Sequence, residues 1–130
     1  MTDFTLYTAD TAPEDATPLL ADSVAAFGMV PNLHAVMAEA PTLLKGYQVL
    51  HGLFQKTSFN AEELTVVWQS INVEHNCHYC IPAHSGIAAA MKVDQDIVDA
   101  LVNKTPLVNP KLEALRETTL AMTRERGVIS

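Results

Sequence analysis

Residues 60–91 read NAEELTVVWQSINVEHNCHYCIPAHSGIAAAM, and the fold turns on how this run divides. Asn60 with Glu63 three positions later has the form of a capping box, in which each side chain takes up the other's backbone N–H at a helix start. Leu64, Val67, Trp68 and Ile71 then recur at helical spacing, which makes them the expected buried face of one helix. Asn72 to Asn76 reads as a bend. A second helix is expected from about Cys77 to Met91, with Pro82 in its first turn or so, where a missing N–H does least harm. Cys77, Cys80, His84, Ala88 and Met91 share one side of that helix. The stripe is apolar, so its reactive residues are expected to be mostly shielded.

Working outward, the same helical period continues on both sides. Thr17-Pro18 looks like an N-cap followed by a first-turn proline. Leu20, Val24 and Phe27 follow, and Gly28 is placed to stop the helix. A short helix is expected from Leu33 to about Glu39. Pro41 opens a third, with Leu43, Tyr47, Leu50 and Phe54 on its inner face. Gly46 and Gly52 lie inside it, each at a cost of about 1 kcal/mol relative to alanine, so close approach of a neighbouring helix is the expected reason for them. Asp94 begins a sixth helix carrying Ile97, Val98 and Leu101. Asn109-Pro110 begins a seventh, with Leu112, Leu115 and Met122 inward and Gly127 as its end. With residues 1–16 as an extended arm, the expectation is an all-α domain of about seven helices over residues 17–130.

At 130 residues, 48% of them hydrophobic, the chain has the size and composition of one folded domain. Only 18% of residues are charged, a modest hint of helix faces covered by further copies of the chain. Eight basic against 15 acidic residues give a net charge of −7. Without a basic cluster the chain is a poor match for nucleic acid or an anionic membrane surface, since both require cations. No apolar run approaches the ~20 residues of a membrane span. Residues 1–15 carry acidic but no basic side chains and no apolar core, unlike a signal peptide. The expected location is therefore cytoplasmic, where stable structural disulfides are rare and a Cys-x-x-Cys reads first as redox or metal chemistry.

The segment from Glu74 to His84 holds both cysteines of the chain and three of its five histidines. Two thiols three positions apart can close a disulfide or share a metal. A cysteine in a first helical turn has its thiolate stabilised by the helix field and by free backbone N–H groups. His84, one turn past Cys80, is placed to accept a proton, and a carboxylate could orient it. Glu74, three residues before Cys77 in a bend folding back on the site, is the candidate carboxylate. Glu63 is either a second such acid or only a capping residue. His78 and Tyr79 lie between the thiols, with His78 as an expected surface group and Tyr79 as a core or site-wall residue. The same spacing fits a zinc site, with Cys77, Cys80 and His84 as three ligands and His75 or His78 as the fourth. His34 and His51 have no ligand partners at metal spacing and are expected to be structural.

The run Asn72-x-x-His75-Asn76-Cys77-His78-Tyr79-Cys80-Ile81-Pro82-Ala83-His84-Ser85 resembles the AhpD-like, carboxymuconolactone decarboxylase superfamily, in particular its peroxidase-related branch. Phe27-Gly28-Met29-Val30-Pro31-Asn32, the helix opening at Ala40-Pro41-Thr42-Leu43-Leu44, and Asn109-Pro110-Lys111-Leu112 carry the likeness along residues 20–125. The resemblance implies an AhpD-like helical fold, a homo-oligomer (commonly a trimer or hexamer) and a thiol peroxidase activity on hydroperoxides. It implies a redox-active Cys77–Cys80 disulfide reset by a dithiol reductant, small or protein-borne, with no other cofactor and no metal. It assigns Cys80 as the peroxidatic thiol and Cys77 as the resolving one, with His84 in a proton relay; the helix field by itself favours Cys77 as the more acidic thiol.

The chain departs from that pattern in three places. Where the alkyl hydroperoxidase D branch has its relay glutamate, twelve residues before the first cysteine, this chain has Thr65. The peroxidase-related branch often has an acid at the position of Glu74, which makes Glu74 the expected relay acid. The residue directly before the second cysteine is Tyr79 rather than histidine. The family pattern also leads one to expect more helix after the seventh, so the expectation is either a shortened form or a truncated piece of a longer chain. Two other functions remain alongside the peroxidase: a lactone decarboxylase, whose chemistry does not call for paired cysteines, and a non-enzymatic metal-binding helical module.

Overall fold

A computed structural model describes residues 3–128. Among these the chain is all-helical, with seven α-helices: α1 (Thr17–Phe27), α2 (Asn32–Met37), α3 (Pro41–Gln55), α4 (Ala61–Glu74), α5 (Cys80–Ala90), α6 (Gln95–Val102) and α7 (Pro110–Arg124). They form two compact units, Met1–Thr57 and Ser58–Ser130. No helix is long and apolar enough to cross a membrane among the described residues.

In the first unit the expected stop signal holds. Gly28 adopts φ +73°, a left-handed conformation open to a residue without Cβ, and its N–H closes on Val24 O at 2.8 Å. Thr17, however, does not cap α1. A 3₁₀ turn at Glu14–Ala16 runs directly into the helix, and Ala16 takes the cap position. The N-terminal segment is also less free than an arm. Tyr7 donates its N–H to Ala35 O at 3.3 Å and its hydroxyl to the Glu39 carboxylate. Tyr7 and Ala12 pack on a buried cluster of Ala16, Leu19, Leu20, Ala38 and Leu44. Residues 1 and 2 of the expected arm lie outside the described residues. His34, expected to be structural, is buried. Its Nδ1 lies 2.8 Å from Ser23 Oγ, its ring meets Phe27 and Tyr47 edge-on, and burial holds it below the usual imidazole pKa. Burial lowers His51 in the same way.

α3 is where the sequence reading and the structure part. Leu44 is its one buried residue, whereas Leu43 and Leu50 of the expected inner face are 56% and 69% exposed, and Leu53 is 58% exposed. Apolar residues occupy more than one side of this 15-residue helix, and the small cluster around Leu44 covers only one of them. Nor does a neighbouring helix explain the glycines. A Cβ at Gly46 or Gly52 would meet nothing within 4 Å.

The second unit is built around α4, which packs against α5, α6 and α7. Its start is the capping box read from the sequence: Glu63 N–H donates to Asn60 Oδ1 at 3.0 Å, and Asn60 N–H donates to Glu63 Oε2 at 2.8 Å. Helices against it bury more of α4 than one stripe. Leu64 is buried as expected, but Val67, Trp68 and Ile71 are only half-buried, and the deepest residues are Val66, Gln69 and Thr65. Val66 joins Leu101, Leu107 and Leu112 in one apolar cluster, while Ala88, Val93 and Val98 form another. On α7, Leu112 and Thr119 are buried and Leu115 half-buried. Met122, expected inward, is 49% exposed because ten residues on from Leu112 the 3.6-residue period has carried it off that face. The helix ends at Arg124, and Gly127, at φ +88°, closes its N–H on Met122 O at 2.8 Å. Residues 129 and 130, where the chain was expected to read as shortened, lie outside the described residues.

Candidate active site

The expected bend at Asn72–Asn76 is instead the last turn of α4 and its cap. The helix runs through to Glu74. Asn76 then takes the left-handed conformation at φ +50°, which asparagine tolerates better than most side chains. The Asn76 N–H reaches Val73 O at 3.1 Å and the Cys77 N–H reaches Asn72 O at 3.0 Å. This pair of bonds is a Schellman motif, which satisfies the final carbonyls of the helix while reversing the chain. It delivers Cys77 directly behind α4.

From there the chain re-enters a helix almost at once. Regular α5 begins at Cys80, three residues later than expected, yet Cys77 O already accepts the Ile81 N–H at 3.1 Å. Cys77 and Cys80 are joined as a disulfide, with an S–S distance of 2.11 Å and their Cα atoms 5.2 Å apart. The Cys80 N–H points at Cys77 Sγ, 3.1 Å away. Both cysteines and His84 are half-buried, so the shielding expected of this stripe is partial; only Ala88 is fully enclosed. Cys77 stands just before the helix, where the cover of a helical face does not extend to it.

Behind the disulfide lies a polar clasp that the sequence reading missed. Gln69 is fully buried among the residues of α4. Its Nε2 donates to Ile81 O at 3.1 Å and to Ser85 Oγ at 2.9 Å, and its Oε1 accepts from Asn72 Nδ2 at 3.0 Å. Ser85 donates in turn to Ile81 O at 2.9 Å, and Asn72 Nδ2 also lies 3.4 Å from Cys80 O. The carbonyls of the first turn of α5 are thus tied to α4 by side-chain amides, which fixes the backbone that carries the disulfide. The available signal was Gln69 and Asn72, a pair of amide side chains three apart in a helix rich in apolar residues.

The remaining candidates are placed as follows. His84 sits one turn beyond Cys80, its ring centroid 5.1 Å from that of Trp68. His75, His78 and Tyr79 are exposed. Glu74 belongs to the last turn of α4 rather than to a bend. Arg124 of α7 grips it with two bonds, Nε to Oε1 at 2.7 Å and Nη2 to Oε2 at 2.8 Å. That fork, helped by the Arg124 charge, holds the Glu74 carboxyl below the usual glutamate range, so it is a weak base. Arg124 lies 50 positions away with no local motif to announce it. Glu63 is an anchor at the other end of α4. Its carboxylate is buried, receives Lys111 Nζ at 2.5 Å and the Asn60 N–H, and is held below the usual range by the lysine first and the backbone donor second. Thr65 is buried with its hydroxyl donated to Ala61 O at 2.9 Å. Among the described residues, no three His, Cys, Asp or Glu side chains are grouped to hold a metal ion. Neither the family models nor the curated proteins produced a match to this chain.

Proposed function

We propose that the protein is a hydroperoxide reductase of the AhpD-like type, cycling Cys77 and Cys80 between dithiol and disulfide. The observation that carries the reading is the Cys77–Cys80 disulfide at the entry to α5, half-buried and with His84 one turn beyond it. In the reduced form the helix field and the free N–H groups of the first turn favour a thiolate there. The Cys80 thiolate, its proton taken by His84, attacks one oxygen of the hydroperoxide. The O–O bond breaks, the alkoxide leaves as alcohol with the proton held by His84, and Cys80 becomes a sulfenic acid. The Cys77 thiol condenses with it, forming the S–S bond and releasing water. A dithiol reductant, as the cytoplasm supplies, returns two electrons and two protons by thiol–disulfide exchange.

In this scheme Glu74 anchors the site more than it carries protons. Its carboxylate is occupied by Arg124 and fixes the end of α4 three residues before Cys77. The decisive measurement is the intact mass of the pre-reduced protein after one equivalent of hydroperoxide. A loss of two hydrogens is expected; two persisting free thiols would sink the proposal.

Self-assembly is part of the same reading. The exposed apolar side chains Leu43, Leu50 and Leu53 give α3 a face suited to a second copy, in keeping with a trimer or hexamer. Leu50→Glu is expected to shift the sedimentation coefficient of the native protein to that of the monomer. A wild-type protein that already sediments as a monomer at micromolar concentration would remove this part of the proposal.

A further inference from the structure

We infer that the second unit carries a binding site for a small monocarboxylate, between α4, α7 and the turn after α6. A cavity of about 280 Å³ is lined there by Ser70, Glu74, Lys104, Arg116 and Arg124. Three of the chain's eight basic residues therefore meet in one cavity of a protein whose net charge is −7. Two of the three are partly neutralised. Arg124 holds Glu74, while Arg116 pairs with Glu113 at 2.7 Å and donates to Thr105 O at 2.6 Å. Lys104 makes no ion pair among the described residues. Counting Lys104, Arg116 and Arg124 against Glu74 and Glu113 leaves one positive charge, which fits a singly charged anion.

Two further observations point to a ligand. Ser70 is only 4% exposed, yet its Oγ has no hydrogen-bond partner, and the buried Nε of Arg116 has none either. Buried donors are nearly always satisfied, and a carboxylate seated among these residues would supply acceptors for both. The rest of the wall is Val73, Leu101 and Leu120, an apolar surface suited to a short hydrocarbon body. The cavity lies just below the usual size range of ligand sites, which limits that body to a few carbons.

The site does not depend on the thiol chemistry, and its test requires no turnover. The ¹⁵N-labelled full chain is titrated with butyrate, butyramide and inorganic phosphate at constant ionic strength. Butyrate is expected to shift the amides of Ser70, Lys104 and Leu120 saturably, and butyramide to leave them in place. Lys104→Gln and Ser70→Ala are each expected to weaken butyrate binding by about tenfold. The inference is overturned by the absence of saturable shifts up to about 20 mM butyrate, by an equal response to butyramide, by tighter binding of phosphate, or by unchanged affinity in Lys104→Gln. None of these results bears on peroxide reduction.

Discussion

Cys80→Ser is expected to lower hydroperoxide turnover by about a thousandfold or more, because in the proposed scheme it removes the nucleophile that attacks the O–O bond. Cys77→Ser is expected to behave differently. It leaves the first reaction intact and abolishes the second, so one equivalent of hydroperoxide should leave a sulfenic acid on Cys80, one oxygen heavier, with no further turnover. The asymmetry follows from position. Cys80 occupies the first turn of α5 with His84 one turn on, whereas Cys77 lies just before the helix and faces Cys80 across the disulfide. One contact points the other way: the Cys80 N–H lies 3.1 Å from Cys77 Sγ and would stabilise a thiolate at Cys77. The reversed pattern, with a sulfenic acid trapped on Cys77 in the Cys80→Ser protein, would overturn the assignment of the two thiols. Equal activity of both variants and wild type would overturn the peroxidase proposal itself.

Gln69→Ala is expected to destabilise the protein by about 3 kcal/mol. The change opens a cavity at a fully buried position and strips the clasp of its centre. Ile81 O and Ser85 Oγ lose the donor from α4, and Asn72 Nδ2 loses an acceptor, in a place where water does not replace them. Urea unfolding measures the loss, and amide exchange across residues 75–81 should accelerate, since this clasp ties the start of α5 to α4. A loss below about 1 kcal/mol would mean that the network contributes little beyond ordinary packing.

The helices themselves were legible because the signals that set them are local. The Asn60 and Glu63 pair forms its capping box, Gly28 closes α1 in a left-handed conformation, and the side chains of Asp94 and Asn109 cap α6 and α7. Local signals were misread at Thr17, which does not cap α1, and at Asn76. A bend placed across residues 72–76 is a Schellman cap after Glu74, and the difference moves Glu74 from a loop onto a helix. The site was legible in part. The spacing of Cys77, Cys80 and His84 put the thiols and the histidine one turn apart, but nothing local marked the Gln69 clasp as buried or Arg124 as the partner of Glu74.

The sequence by itself determined that the described residues form seven helices, where most of these begin and stop to within a few residues, and that two thiols lie at the entry to one of them. Those outcomes depend on interactions within about four residues, the reach of a helical hydrogen bond or a cap. Only the tertiary structure decided which side of each helix is inside. It leaves Leu43 and Leu50 of α3 exposed, buries Gln69 rather than Trp68 in α4, and commits Glu74 to a guanidinium 50 residues away. A side chain's period is written in its own helix, but its burial and its charge partner belong to whichever helices pack against it, and these are drawn from distant parts of the chain.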